Sequence, residues 1–220
     1  MKRTLFFSIF LLAALCGKGY AQDTLATRQM NKPYSYWALK LPLFNILDPN
    51  SPNLQVGVER WLNKRSGVQL TAGISVDPDR TVLNGFRVKG EYRWHFATRN
   101  SHSLFLAGEL FYTQYSASVS ETFVRATDST LYDDHFMIYK KMYGANVKFG
   151  FYKMFKRHFM FEVYSGIGVK HKIVSQQGRT NPSDAPESVV DINLGAIGHE
   201  TGIINTVSMP LNFAFGYIFR

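Results

Sequence analysis

The sequence predicts an all-β fold, an eight-stranded antiparallel up-and-down transmembrane β-barrel, from three observations. About eight stretches alternate apolar and polar residues along most of the chain. Compact connections alternate with longer ones between them. After the N-terminal segment no apolar run approaches the roughly twenty residues of a helical span, so membrane entry requires a closed barrel.

The N-terminal segment predicts export. Lys2 and Arg3 precede an apolar run from Leu5 to Leu15, and Gly19-Tyr20-Ala21 carries small residues at the two positions a signal peptidase reads. The run is about ten residues, half of a membrane-spanning helix. Residues 1–21 therefore read as a signal peptide cleaved before Gln22. A lipoprotein reading would use Cys16, the only cysteine, but it wants a small residue just before, where Leu15 stands. Cleavage after Ala21 leaves no cysteine and so no disulfide, in a compartment that permits them. It removes Lys2, Arg3 and Lys18 and no acid, lowering the net charge from +9 to +6. For an exported chain this basic balance suits anionic headgroups or a cation-lined lumen better than nucleic acid.

Residues 22–35 read as a polar leader and 36–220 as one barrel domain, with no internal repeat. The first strand, 36–46, sets Trp37, Leu39, Leu41 and Leu43 against Lys40. The second, 54–62, sets Leu54, Val56 and Val58 against Gln55, Gly57 and Glu59. In the third, 67–76, Val68, Leu70, Ala72 and Ile74 oppose Gln69, Thr71, Gly73 and Ser75. The fourth, 85–96, has Phe86, Val88, Tyr92, Trp94 and Phe96 opposite Arg87, Lys89, Glu91, Arg93 and His95. In the fifth, 103–114, Leu104, Leu106, Leu110 and Tyr112 oppose Glu109, with Phe105 and Phe111 blurring the polar face. The sixth, 142–152, opposes Tyr143, Ala145, Val147, Phe149 and Phe151 to Asn146 and Lys148. The seventh, 158–174, opposes Phe159, Phe161, Val163, Ile167 and Val169 to Glu162, Lys170 and Lys172. The eighth, 208–219, opposes Leu211, Phe213, Phe215, Tyr217 and Phe219 to Asn212 and Gly216. Each is near the nine to eleven residues of a tilted membrane strand.

Connections 63–66, 97–102 and 153–157 are compact, and 48–53 and 77–84 are intermediate and rich in turn residues. The segments 115–141 and 175–207 read as long outer loops. With an even strand count, both termini lie on the short-turn, periplasmic side.

Alternation alone does not say which face is buried. The apolar faces carry too many Phe, Tyr, Leu and Trp side chains for an eight-stranded interior, which is only just wide enough for side chains. The polar faces carry Gly57, Gly73, Gly144, Gly150, Gly166, Gly168, Ala214 and Gly216, which suit a narrow polar lumen; Gly90 and Gly108 lie on the apolar side. Trp37, Trp61, Trp94, Phe96, Phe155, Phe159, Tyr217 and Phe219 fall near the periplasmic strand ends and read as an aromatic girdle, with Lys64, Arg65, Lys153, Lys156 and Arg157 reaching for phosphates.

The run Met209-Pro210-Leu211-Asn212-Phe213-Ala214-Phe215-Gly216-Tyr217-Ile218-Phe219 resembles the closing strand of small OmpA/OmpX-like outer-membrane barrels, and the resemblance extends as a pattern over 36–219. It implies an outer-membrane location and reading of the alternating aromatic end by the barrel-assembly machinery. Arg220 follows Phe219, where family members often end on the aromatic itself.

The expected interior carries Lys40, Arg87, Lys89, Arg93, Lys148, Lys170 and Lys172 with Glu59, Glu91, Glu109 and Glu162, a salt-bridge network that fills the barrel. The expected role is structural or surface-interacting, through the two outer loops. The alternatives are a narrow channel and a lipid-modifying enzyme. For the enzyme, His135 beside Asp133 and Asp134, and His199 beside Glu200, offer a base near an acid, with Ser208, Ser175 or Thr201 as nucleophile. Such sites are defined by geometry, not by sequence neighbours. Asp133-Asp134-His135 matches no metal-ligand spacing, and Gly166-Ile167-Gly168 lies inside a strand with no following helix to cradle phosphate. No catalytic activity, cofactor, metal or nucleic-acid partner is expected; the expected partners are outer-membrane lipid and the assembly machinery.

Overall fold

The structure is a computed structural model that describes residues 36–43, 53–75, 83–99, 101–155, 158–181, 185–186 and 201–219. The signal and leader readings on residues 1–35 lie outside them, as do most of connections 48–53 and 77–84 and His199. The strands are β1 (Trp37–Pro42), β2 (Asn53–Trp61), β3 (Ser66–Ser75), β4 (Leu83–Arg99), β5 (His102–Val124), β6 (Leu131–Phe155), β7 (Phe159–Gln177), the two-residue β8 (Ala185–Pro186), β9 (Gly202–Ser208) and β10 (Leu211–Phe219).

Each strand from β1 to β6 pairs antiparallel with the next. One half of β7 pairs with β10 and the other with β9, and β10 pairs back onto β1. Together β9 and β10 form one eighth strand, interrupted at Met209-Pro210. Pro210 has no N–H for the ladder, and its carbonyl accepts from the Gly166 N–H at 2.8 Å. The result is the expected closed, eight-stranded antiparallel barrel, and the described residues contain no helix.

The barrel is staggered. A row of paired residues runs Lys40, Gly57, Thr71, Lys89, Phe111, Gly144, Lys170, Thr206, while Lys40 is also paired directly with Gly216. Thr206 to Gly216 is ten residues along the closing strand, which for eight strands tilts each by about 40° to the axis.

Three turns close one end. In the turn from β2 to β3, the Asn63 side chain accepts from the Arg65 and Ser66 N–H groups at 2.8 and 2.9 Å, an Asx-turn that fixes the register. At the other end the sequence reading needs correction. Segment 115–141 is mostly strand: β5 runs on to Val124 and β6 begins at Leu131, so the tip is six residues. The physical reason is a second apolar cluster, Ala117, Phe123, Phe136, Ile138 and Val174, which the projecting hairpin buries on its inner face. Segment 175–207 likewise contributes the end of β7 and all of β9 but its last residue, Ser208. After β7 the chain lies against this hairpin. Thr180 bonds Asp134, Arg179 sits over the Phe123 ring at 4.3 Å, and β8 pairs with Phe123 and Val124.

Candidate functional site: the barrel interior and its two surfaces

Strand parity sorts the side chains. Those of β2 at Asn53, Gln55, Glu59 and Trp61 are buried, and Leu54, Val56 and Val58 are exposed. The same sorting runs round the barrel, so the exposed face is the apolar one: Leu39, Leu70, Ile74, Tyr92, Leu110, Val147, Ile167, Val169, Leu211 and Phe215 all point outward. The buried face is polar, with Lys40, Glu59, Arg93, Lys148 and Glu162 each about 1% exposed or less.

All eleven charged residues expected in the lumen lie on that inner face, at two levels. The lower level is a continuous ion network. Glu162 accepts two bonds from Arg93, at 2.6 and 2.8 Å, and one from Lys40. Lys40 also meets Glu59 at 2.5 Å, and Arg93 Nε meets Glu91 at 2.6 Å. Lys148 bonds Glu91 and Glu109, the latter at 2.7 Å, and Asn146 donates to Glu109 at 2.7 Å. The stagger brings these groups together from β1, β2, β4, β5, β6 and β7. Burying such charges is tolerable only because each carboxylate is bridged by cations. Lys89, Arg87, Lys170 and Lys172 lie above, toward the hairpin end.

Below the network, at the turn end, an aromatic plug closes the lumen. Trp61 stacks on His95 at 4.1 Å and on Tyr36 at 4.8 Å, with Tyr152 edge-on at 5.3 Å. Phe105, Met160, Tyr164 and Ile218 complete the cluster. Trp61 was expected in the girdle, and its side chain is instead 1% exposed and inside. The parity of Gln55, Gly57 and Glu59 extends to it, and its position near a strand end misled. Inner glycines make room for this filling: a Cβ on Gly150 meets the Phe105 ring, and one on Gly216 meets Met160 Cγ at 2.7 Å. Gly90 and Gly108 face outward with nothing within 4 Å of an added Cβ.

The other girdle residues, Trp37, Trp94, Phe96, Phe159, Tyr217 and Phe219, are exposed on the outer face at the turn end. Cations attend them: Arg60 lies over Trp37 at 5.2 Å and Lys153 over Phe155 at 5.5 Å. A second boundary was not anticipated. Tyr112, Tyr143, His171 and Asn205 are paired in one outward row. His171 Nδ1 lies 2.6 Å from Asn205 Oδ1, the Tyr143 and His171 rings lie 4.8 Å apart, and the Tyr112 hydroxyl donates to Gln114. On β7 the apolar band runs from Phe159 to Val169, eleven residues. Beneath the polar row, Leu110, Tyr143, Ala145, Val169 and Val207 line an open hollow of about 740 Å³ on the outer face.

Among the described residues weighed for catalysis, His135 and Ser208 are not brought together. His135 is opposite Ser120 near the hairpin tip; Ser208 is opposite Gly168, itself opposite Asn146, eleven residues further down β6. Asp134 instead anchors the segment after β7. Its carboxylate accepts from the Thr180 N–H at 2.8 Å and hydroxyl at 2.9 Å, and the amide bond foremost holds its pKa below the usual carboxylate range. Among the described residues no group of three or more His, Cys, Asp or Glu side chains is arranged to hold a metal ion.

No family model matches the chain, and no curated protein matches it. Among solved structures it is similar to the N-terminal β-barrel domain of Pseudomonas aeruginosa OprF, with 11% identity and a TM-score of 0.43 over 86% of this chain and 100% of that one. It is also similar to a major outer membrane protein from Thermus thermophilus, with 10% identity and a TM-score of 0.45 over 84% of this chain and 100% of that one.

Proposed function

We propose that this chain is an integral outer-membrane protein, exported by its N-terminal signal and set in the bilayer with its turn end toward the periplasm. Its filled barrel presents the β5–β6 hairpin outside, in a structural or surface-interaction role. One observation carries the reading: the outward face is apolar all round, while the charges are inside. Exposed apolar patches on soluble monomers are confined to a few hundred Å²; a belt encircling the barrel is what hydrocarbon demands. The band's boundaries support it, with aromatic rings beside Arg60 and Lys153 at one edge and the Tyr143–His171–Asn205 row at the other. Eleven residues on a strand tilted about 40° rise about 25 Å, the height of the apolar band of outer-membrane barrels. An acyl chain fits the hollow beside Ala145.

The aromatic plug and the ion network block the lumen in series, which favours the filled barrel over the channel. Fractionation and heat-modifiable gel migration test the location and fold. The expected result is an outer-membrane protein whose mobility changes on boiling, with no discrete conductance steps in a planar bilayer. A soluble periplasmic protein without a mobility shift would overturn the membrane reading, and stable unitary openings would overturn the filled lumen.

A further inference from the structure

The outer face is not evenly filled. Gly108 on β5 is opposite Val147, and Ala145, two residues further up β6, is opposite Val169. His171 stands two residues up β7 from Val169. On strands tilted about 40°, one strand across and two residues up runs nearly parallel to the barrel axis and rises about 8 Å. Gly108, Ala145 and His171 therefore stand in one column. An added Cβ on Gly108 meets nothing within 4 Å, and the hollow of about 740 Å³ opens over Ala145. By the same geometry Tyr92, Leu110 and Tyr143 flank the column on one side, and Val147 and Val169 on the other. All five are exposed. The column is the floor of a groove.

Its two ends differ. The upper rim is polar, formed by the His171–Asn205 pair and the Tyr143 ring. Exposed Lys141 lies one outward position above Tyr143. The next acid on that face of β6 is Asp133, eight residues nearer the hairpin tip, so the rim is locally cationic. At the lower end the next position down the column is Trp94, whose exposed ring stops the groove. From His171 to Gly108 is two steps, about 16 Å, close to half of a hydrocarbon core of roughly 30 Å. The groove is one leaflet deep. A second barrel packed lengthwise would want a surface running the full height of the band, and Trp94 interrupts it.

We propose that this groove is the binding site of one anionic lipid of the outward leaflet. An acyl chain lies along Gly108 and Ala145 between the two walls. The Lys141 ammonium meets the phosphate at the rim, with the Asn205 amide and the Tyr143 hydroxyl donating beside it. The site rests on the membrane reading above and adds to it a lipid of stated charge, leaflet and place.

The test is electron paramagnetic resonance of the barrel in phosphatidylcholine vesicles. The probes are phosphatidylglycerol and phosphatidylcholine, each spin-labelled near the chain end. More phosphatidylglycerol than phosphatidylcholine is expected to be motionally restricted, with a saturable excess of one lipid per barrel. Lys141→Gln is expected to weaken that component about fivefold. Gly108→Leu with Ala145→Leu fills the groove and abolishes it, in a barrel that still changes mobility on boiling. Gly90→Leu, equally open but outside the column, leaves it in place, as does Arg60→Gln with Lys153→Gln at the turn end. Equal restriction of the two lipids by an inserted barrel, or a component indifferent to Lys141→Gln and to the filled groove, overturns the site. Cross-linked dimers that the filled groove abolishes would give the groove to a second copy and overturn it too. Restriction of neither lipid would overturn the membrane reading itself, and the site with it.

Discussion

At the scale of single residues, Glu162 is the most committed group in the interior, because one carboxylate holds both Arg93 and Lys40. Glu162→Ala leaves two buried cations short of their counter-charge and is expected to destabilise the barrel by about 3 kcal/mol. Adding Lys40→Met restores part of the loss, measured by urea unfolding in detergent. Asp134 behaves differently, because it lies beyond the apolar band and its bonds are to Thr180. A carboxylate favoured in the folded state contributes stability above its unfolded pKa of about 3.9, and that contribution is lost as pH falls through the lowered folded value. Amide exchange at Thr180, corrected for its intrinsic pH dependence, is therefore expected to be slow at neutral pH and to quicken below about pH 4. Asp134→Asn speeds it already at neutral pH. A Thr180 amide indifferent to both would detach the strap from Asp134.

At the scale of elements, the inner and outer glycines give opposite expectations. Gly150→Ala drives a methyl into the Phe105 ring and costs about 1–3 kcal/mol. Gly90→Val meets open space on the outer face and is neutral or stabilising, since it replaces a flexible residue in a strand with a β-branched one. Equal costs in unfolding would reverse the assignment of faces. Strand existence was legible because a half-buried strand must alternate, and Gly67 onward alternates without a fault. Strand length was not. Ser116 to Val124 is rich in Ser and Thr and reads as loop, but Ala117 and Phe123 have partners in Phe136 and Ile138 only once the hairpin has formed. The break at Pro210 was equally hidden, since one strand can be two when a proline removes a ladder bond.

At the scale of the whole molecule, the eleven interior charges were legible from parity, because every one alternates with an apolar neighbour. Their grouping was not, since Lys40 and Glu162 lie 122 residues apart and meet only through the ten-residue stagger. Trp61 shows the cost of weighing position in the strand above parity. It also gives the most direct test of the central claim, that the apolar face meets lipid and the polar face does not. The chain has three tryptophans: Trp37 and Trp94 point outward, and Trp61 points in. Variants that keep one tryptophan each, the others changed to Phe, are folded into vesicles containing brominated acyl chains. The fluorescence of Trp94 and of Trp37 is expected to be strongly quenched by the brominated lipid, and that of Trp61 to be nearly untouched. Lipid quenching confined to Trp61, or absent from all three, would contradict the account.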